Sequence, residues 1–144
     1  MGMLDNYTVL ADNQAVTASG DTASTNIYDS LNPNAAELGL TTENLWINVW
    51  NSAPVTGTGT IQAVLQDSAD GTAWADKASG PVVQTSALTG VGTPLMLMQP
   101  PIGVRQFFRI VFRSSAAIAA GTFNAFVSNT IQWNKARPSG FEVL

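Results

Sequence analysis

Histidine and cysteine are both absent from the 144 residues. Without them the chain has no Ser-His-Asp or Cys-His nucleophilic pair, no imidazole acid–base catalyst and no His- or Cys-ligated metal centre. The lack of cysteine also excludes a disulfide staple and accords with folding in a reducing cytoplasm. Charge is scarce as well: Asp, Glu, Lys and Arg make up 11% of the chain, against a usual ~25%. Only six residues are Lys or Arg and the net charge is −4. So few cations cannot neutralise a run of phosphates, and a nucleic-acid partner is not expected. No apolar run approaches the ~18 residues of a membrane-spanning helix, so no membrane partner is expected either. The opening Met1-Gly2-Met3-Leu4-Asp5-Asn6 lacks the basic and apolar regions of a secretory signal. Asn6 stands where an N-myristoylation motif requires Ser or Thr, which argues against a lipid on Gly2.

The chemistry left to such a chain rests on carboxylates, and these are thinly spread. Asp67 and Asp70 form the closest suggestive pair. A glycosidase holds two carboxylates at a fixed distance across a cleft. These two instead fall on one predicted turn, Asp67-Ser68-Ala69-Asp70-Gly71, where Asx-type bonds account for the acids and Gly71 supplies a positive φ. The turn lacks the alternating ligand string of an EF-hand loop. Gly57-Thr58-Gly59-Thr60 resembles part of a phosphate loop, but it precedes a predicted strand and lacks the following Lys. Ser68 to Trp74 is similar to the Asp box of sialidase-type propellers. It lacks the spacer between Asp and Gly, places Ala73 just before Trp74 and occurs once, and so reads as a turn with Trp74 packed over a hairpin. No catalytic, cofactor-binding or metal-ligating residue is assigned, and the chain is expected not to be an enzyme.

The residues that are present read as strands divided by turns. A chain of this length points to one domain, able to bury roughly 68–70% of its unfolded surface. Candidate strands run over Tyr7 to Ala11, Ser24 to Tyr28, Leu45 to Trp50, Thr58 to Gln66, Pro81 to Thr85, Leu95 to Gln99, Gln106 to Ser114 and Gly121 to Asn129. Period-two alternation places Ile47 and Val49 on one face, Trp46 and Trp50 on the other. It likewise assigns Ile61, Ala63 and Leu65, then Phe108, Ile110 and Phe112, then Phe123, Ala125 and Val127 to a core. The Ala-rich piece Ser115 to Ala120 is too short for an isolated helix. About eight short strands without a helix predict an all-β fold, a jelly-roll-like antiparallel β-sandwich. The sandwich is expected over residues 1–132, with 133–144 as a C-terminal tail or arm.

A surface built from Thr, Ser, Asn, Gln, Ala and Gly loses little ionic hydration when another protein covers it. Arg105, Arg109 and Arg113 fall at spacing four and would share one strand face as a basic stripe. They could make forked bonds to a partner's carboxylates, or pair with acids on an adjacent strand of the same chain. Trp46 and Trp50 suit either an interface or a second core layer. In the tail, Trp133, Arg137 and Phe141 combine charge and apolar bulk as an arm would, or belong to a frayed end. Trp46, Trp50 and Trp74 also leave open a non-catalytic carbohydrate-binding β-sandwich.

The ordered set of segments resembles one family. Asp12 to Ser19 and Ala23 to Asp29, then Leu45 to Val49, Ile61 to Trp74, Pro100 to Val111 and Ala120 to Asn129 are similar, in that order, to the capsid cement proteins of short-tailed bacteriophages. The resemblance covers roughly residues 10 to 130 and stops there. It implies a jelly-roll-like sandwich bound to the outer surface of the major capsid protein, as a homodimer or homotrimer at symmetry axes. It brings no catalytic or cofactor residues. It implies a place on the outer capsid surface of the virion, after assembly in the bacterial host cytoplasm.

Overall fold

Alternating apolar side chains give rise to two stacked antiparallel sheets. A computed structural model describes residues 9–29, 46–100 and 104–128. Its strands are β1 Val9–Ala15, β2 Gly20–Ala23, β3 Tyr28–Asp29, β4 Trp46–Asn51, β5 Thr56–Gly57, β6 Thr60–Ser68, β7 Ala75–Ser79, β8 Val83–Gln84, β9 Pro94–Met98, β10 Phe107–Ser114, β11 Ile118–Ala120 and β12 Thr122–Ser128, with one 3-10 turn at Thr85–Ala87. Among the described residues there is no α-helix, and hence none long and apolar enough to cross a membrane.

One sheet has the order β1-β12-β4-β9 and the other β2-β10-β6-β7. β3 extends the β2 position along β10, and β8 extends the β7 position along β6. The main segments therefore fill eight lanes, and β5 with β11 forms a separate two-stranded ribbon. Apart from the β6–β7 hairpin, which stays in one sheet, successive lanes alternate between the sheets in the order of a jelly roll. The expected all-β sandwich is the observed fold.

The residues that the alternation assigned to the core lie there, joined by others such as Leu10, Val16, Leu88 and Leu95. Ile47, Val49, Ile61, Ala63, Leu65, Ile110, Phe112, Phe123, Ala125 and Val127 are all buried between the sheets. Phe112 from one sheet meets Phe123 from the other at 5.3 Å between ring centroids. Tyr28 stacks on Phe108 at 4.6 Å, which pins the short β3 to the core. Trp46 and Trp50 point to the other side of β4 and are half-buried. There Trp50 meets Phe126 edge-on, with ring centroids 4.8 Å apart.

Several boundaries differ from expectation. The stretch Ser24 to Ile27 does not pair as a strand. It leaves β10 to touch the other sheet and returns to β10 at β3, with Ser24 N donating to Ile110 O at 2.7 Å and Asn26 N to Leu10 O at 2.9 Å. This segment covers the open edge of β1, which would otherwise expose unpaired backbone groups. β6 continues through Asp67 and Ser68, two residues assigned to the turn, because both side chains find partners there. β7 was not foreseen: Ala-Asp-Lys-Ala-Ser has no β-branched residue and is held by pairing with β6. Gly80 then breaks the lane between β7 and β8. A Cβ on Gly80 would lie 2.4 Å from the Leu95 carbonyl oxygen, so only glycine lets the rim of β9 come this close. The Ser115 to Ala120 piece supplies β11, not a helix. The predicted boundary at 132 and the tail residues Trp133, Arg137 and Phe141 lie outside the described residues.

Candidate partner-binding surface

β10 runs down the middle of its sheet, so its outward side chains stand between those of β6 on one side and β2 on the other. Val111 faces outward beside Arg109 and Arg113, and its partner Val64 on β6 does the same. Both valines are nonetheless fully buried. The outward neighbours along the same two strands are Gln62, Gln66, Arg109 and Arg113, whose long stems can cover such a seam while their polar ends stay wet.

The polar ends of this layer are joined to one another. Arg109 donates from Nε and Nη2 to Gln66 Oε1, at 3.1 and 2.9 Å. Gln66 Nε2 donates in turn to Asp76 Oδ1 at 2.8 Å. Arg113 forks onto Asp21, Nε to Oδ1 at 2.8 Å and Nη2 to Oδ2 at 3.0 Å, and also reaches Asp76 at 3.3 Å. The Arg109 guanidinium lies 4.2 Å above the centre of the Trp74 ring, a cation–π contact. One network thus ties β2, β10, β6 and β7 together across the whole sheet.

Arg105 does not join this stripe. It precedes β10, which begins at Phe107, so strand periodicity does not apply to it. Its backbone N donates to Asp67 Oδ2 at 3.0 Å and its Nη2 to Asp67 Oδ1 at 2.8 Å. Asp67 alternates with Gln66 and so lies on the opposite face, where its side chain is wholly buried and Lys77 Nζ also approaches to 3.8 Å. The spacing-four stripe therefore holds for Arg109 and Arg113 and fails for Arg105. All three guanidinium groups are engaged within the chain: Arg105 and Arg113 with acids, and Arg109 with Gln66 and Trp74 instead of the acid that the adjacent-strand reading anticipated. Asp21 and Asp76 were not singled out as their partners, since nothing in the spacing of residues 21 and 76 signals that the fold brings them to Arg113.

The turn after β6 is self-sufficient. Ser68 Oγ donates to Asp70 Oδ1 at 2.9 Å and accepts from Asp70 N and Gly71 N. Asp70 Oδ1 also accepts from Thr72 N at 2.9 Å and Ala73 N at 3.0 Å. Gly71 has φ +80°, the conformation expected of it. Asp67 and Asp70 thus serve different structures, an ion pair and a turn. Among the described residues no three acidic side chains gather as a metal site would require.

These contacts set the acid response. The bond from Arg113 holds the Asp21 carboxyl below its usual range, and that from Arg105 does the same for Asp67. The backbone N–H groups of Ala73 and Thr72 lower Asp70. In the unfolded chain these groups titrate near 3.8. The folded state therefore binds fewer protons than the unfolded state as pH falls past that value, and stability drops with it. With no histidine in the chain, little changes between about pH 5 and pH 8. Calorimetry across pH 3 to 8 should show a level Tm above about pH 5 and a steep fall below about pH 4. A fall already between pH 7 and 5 would contradict the assignment.

A family profile described as Bbp16 matches residues 10–127. The chain belongs to the Bbp16 family. This is a phage-related family. No curated protein matches the chain. The Bbp16 match begins in β1 and ends in β12, so the family unit and the sandwich are the same object. The sheet network of Arg109 and Arg113 and the Arg105–Asp67 pair all lie within it.

Proposed function

We propose that this Bbp16-family chain is a structural cement subunit. It binds the outer surface of a phage's major capsid protein shell and stabilises the expanded head. The observation that carries this reading is the phage-related family match spanning the whole sandwich. The resemblance of its ordered segments to capsid cement proteins points the same way, and a chain without His or Cys suits a role without catalysis. The partners are the major capsid protein and further copies of the chain, as a homodimer or homotrimer.

The mechanism is thermodynamic linkage. A subunit that bridges neighbouring capsomers binds the assembled, expanded shell and not its separated parts, so it stabilises that shell by mass action. Bridging two sites raises the effective concentration of the second contact, and avidity can exceed single-site affinity by ~10²–10⁴. Individual contacts need not be tight. The carbohydrate-binding alternative loses support at Trp74, where the Arg109 guanidinium occupies one ring face.

The test uses expanded heads of the parent phage that lack this protein. Purified chain added to them should co-sediment at saturating stoichiometry and raise the temperature at which the heads break. Failure to pellet with heads, together with sugar-dependent quenching of tryptophan fluorescence, would overturn the reading.

A further inference from the structure

Among the described residues the ionisable side chains are not spread evenly over the sandwich. β1, β4 and β8 end, and β2, β6, β9, β10 and β12 begin or end, at one common rim, as their registers require. Four connections close that rim: residues 16–19, 52–59, 85–93 and 115–121. None of them contains a charged or an aromatic residue. At the opposite rim stand Asp29, Asp67, Asp70, Lys77 and Arg105, while Asp21, Asp76, Arg109 and Arg113 lie on the outer side of one sheet and Asp12 is exposed on β1 of the other.

The uncharged rim is also fixed in shape. Asn51, wholly buried, donates from Nδ2 to Ala53 O and Gly90 O and accepts at Oδ1 from Thr93 N at 2.8 Å. Thr85 Oγ1 donates to Gly57 O and Gly59 O at 3.0 and 3.2 Å. The hydroxyls of Ser52 and Thr122 meet at 2.6 Å. Val55 N donates to Leu88 O at 2.8 Å, and a Cβ on Gly121 would strike Val55 at 2.8 Å. Interlocked loops lose little entropy when a partner covers them. On this rim Val91 is 52% exposed between Gly90 and Gly92, an apolar anchor held out from the surface.

We infer that this rim is the surface by which the chain seats itself on a partner protein, with Val91 inserted at the contact. The inference rests on the capsid-binding reading and names its docking surface. The partner is a protein surface that is itself poor in charge, because burying an unmatched ion against this rim would leave it without a counter-charge. A nucleic acid would require cations, and a glycan would require aromatic platforms; the rim has neither. The arginines of the sheet network remain bonded within the chain.

The experiment compares wild type, Val91→Glu, Ala119→Glu and Thr72→Glu for binding to heads lacking the protein, with Tm measured for each. Residues 91, 119 and 72 are all exposed, so folding should be kept in all four. Both rim variants should bind at least ~10-fold more weakly, through an unpaired charge in the contact. Thr72→Glu, on the charged rim, should bind as wild type. Raising NaCl from ~0.05 to ~0.5 M should change wild-type affinity less than about threefold, since no ion pairs are screened. Rim variants that bind as wild type, or strong loss of wild-type binding in salt, would overturn the inference and leave the cement reading standing. Wild type that ignores heads would overturn the cement reading and this inference with it.

Discussion

Phe112→Ala should destabilise the fold by about 3–5 kcal/mol, the loss typical of removing a fully buried aromatic ring. Phe112 is wholly inaccessible to solvent and is the ring through which β10 touches Phe123 of the opposite sheet. Removing it deletes both the transfer of the ring out of water and the inter-sheet contact. The sheets cannot collapse onto the gap, because β10 is held on both edges by β2 and β6. Against a total stability of about 5–15 kcal/mol, this could leave a large unfolded fraction. Denaturant titration of both proteins measures it through the midpoint at constant slope. A loss below about 1 kcal/mol would mean that the two sheets are not packed face to face at this position.

The second large effect is expected at Asp67. Its buried carboxylate accepts from the backbone and side chain of Arg105, with Lys77 beyond. Asp67→Ala removes charge-assisted bonds and leaves the Arg105 N–H without its acceptor, a loss of about 2–3 kcal/mol. Arg105→Met acts differently. It removes the side-chain bond and its charge but leaves the backbone N–H of residue 105 and Lys77 at the buried carboxylate, so the Asp67 pKa rises from its wild-type position. The acid limb of the Tm profile should then shift to higher pH in Arg105→Met, and flatten in Asp67→Ala. An unchanged acid limb in both variants would show that this pair does not govern acid unfolding.

Where a strand carries its own alternation, it was legible. β4, β6, β10 and β12 each bury one set of side chains at period two, and the four sets form the centre of the core. β7 was not legible because its residues have no strand preference and pair only where β6 offers an edge, and the β5–β11 ribbon is too short, at two and three residues, to carry an alternation. The face shared by Arg109 and Arg113 followed from spacing. Arg105 was misplaced because the strand begins two residues after it, and the start is set by Asp67 capturing its backbone N–H. Asp21 and Asp76 meet at Arg113 only through the order of lanes in the sheet, which no local pattern encodes. The uncharged rim escaped notice for a similar reason. Its four connections are far apart in the chain, and only the topology shows that they share one end.

The position of β12 has a consequence for how the protein is made. This last described strand lies between β1 and β4, so the first and last lanes of the sandwich are side by side. A nascent chain lacking β12 leaves β1 and β4 separated by an empty lane, with Leu10 and Val49 uncovered. Until β12 has been synthesised, the chain cannot close its first sheet. Closure of that sheet waits for β12, and folding is dominated by contacts between remote parts of the chain. The same closure works in reverse: a strand held on both sides cannot peel away from an edge, and the finished sandwich should resist unfolding from its C-terminal strand.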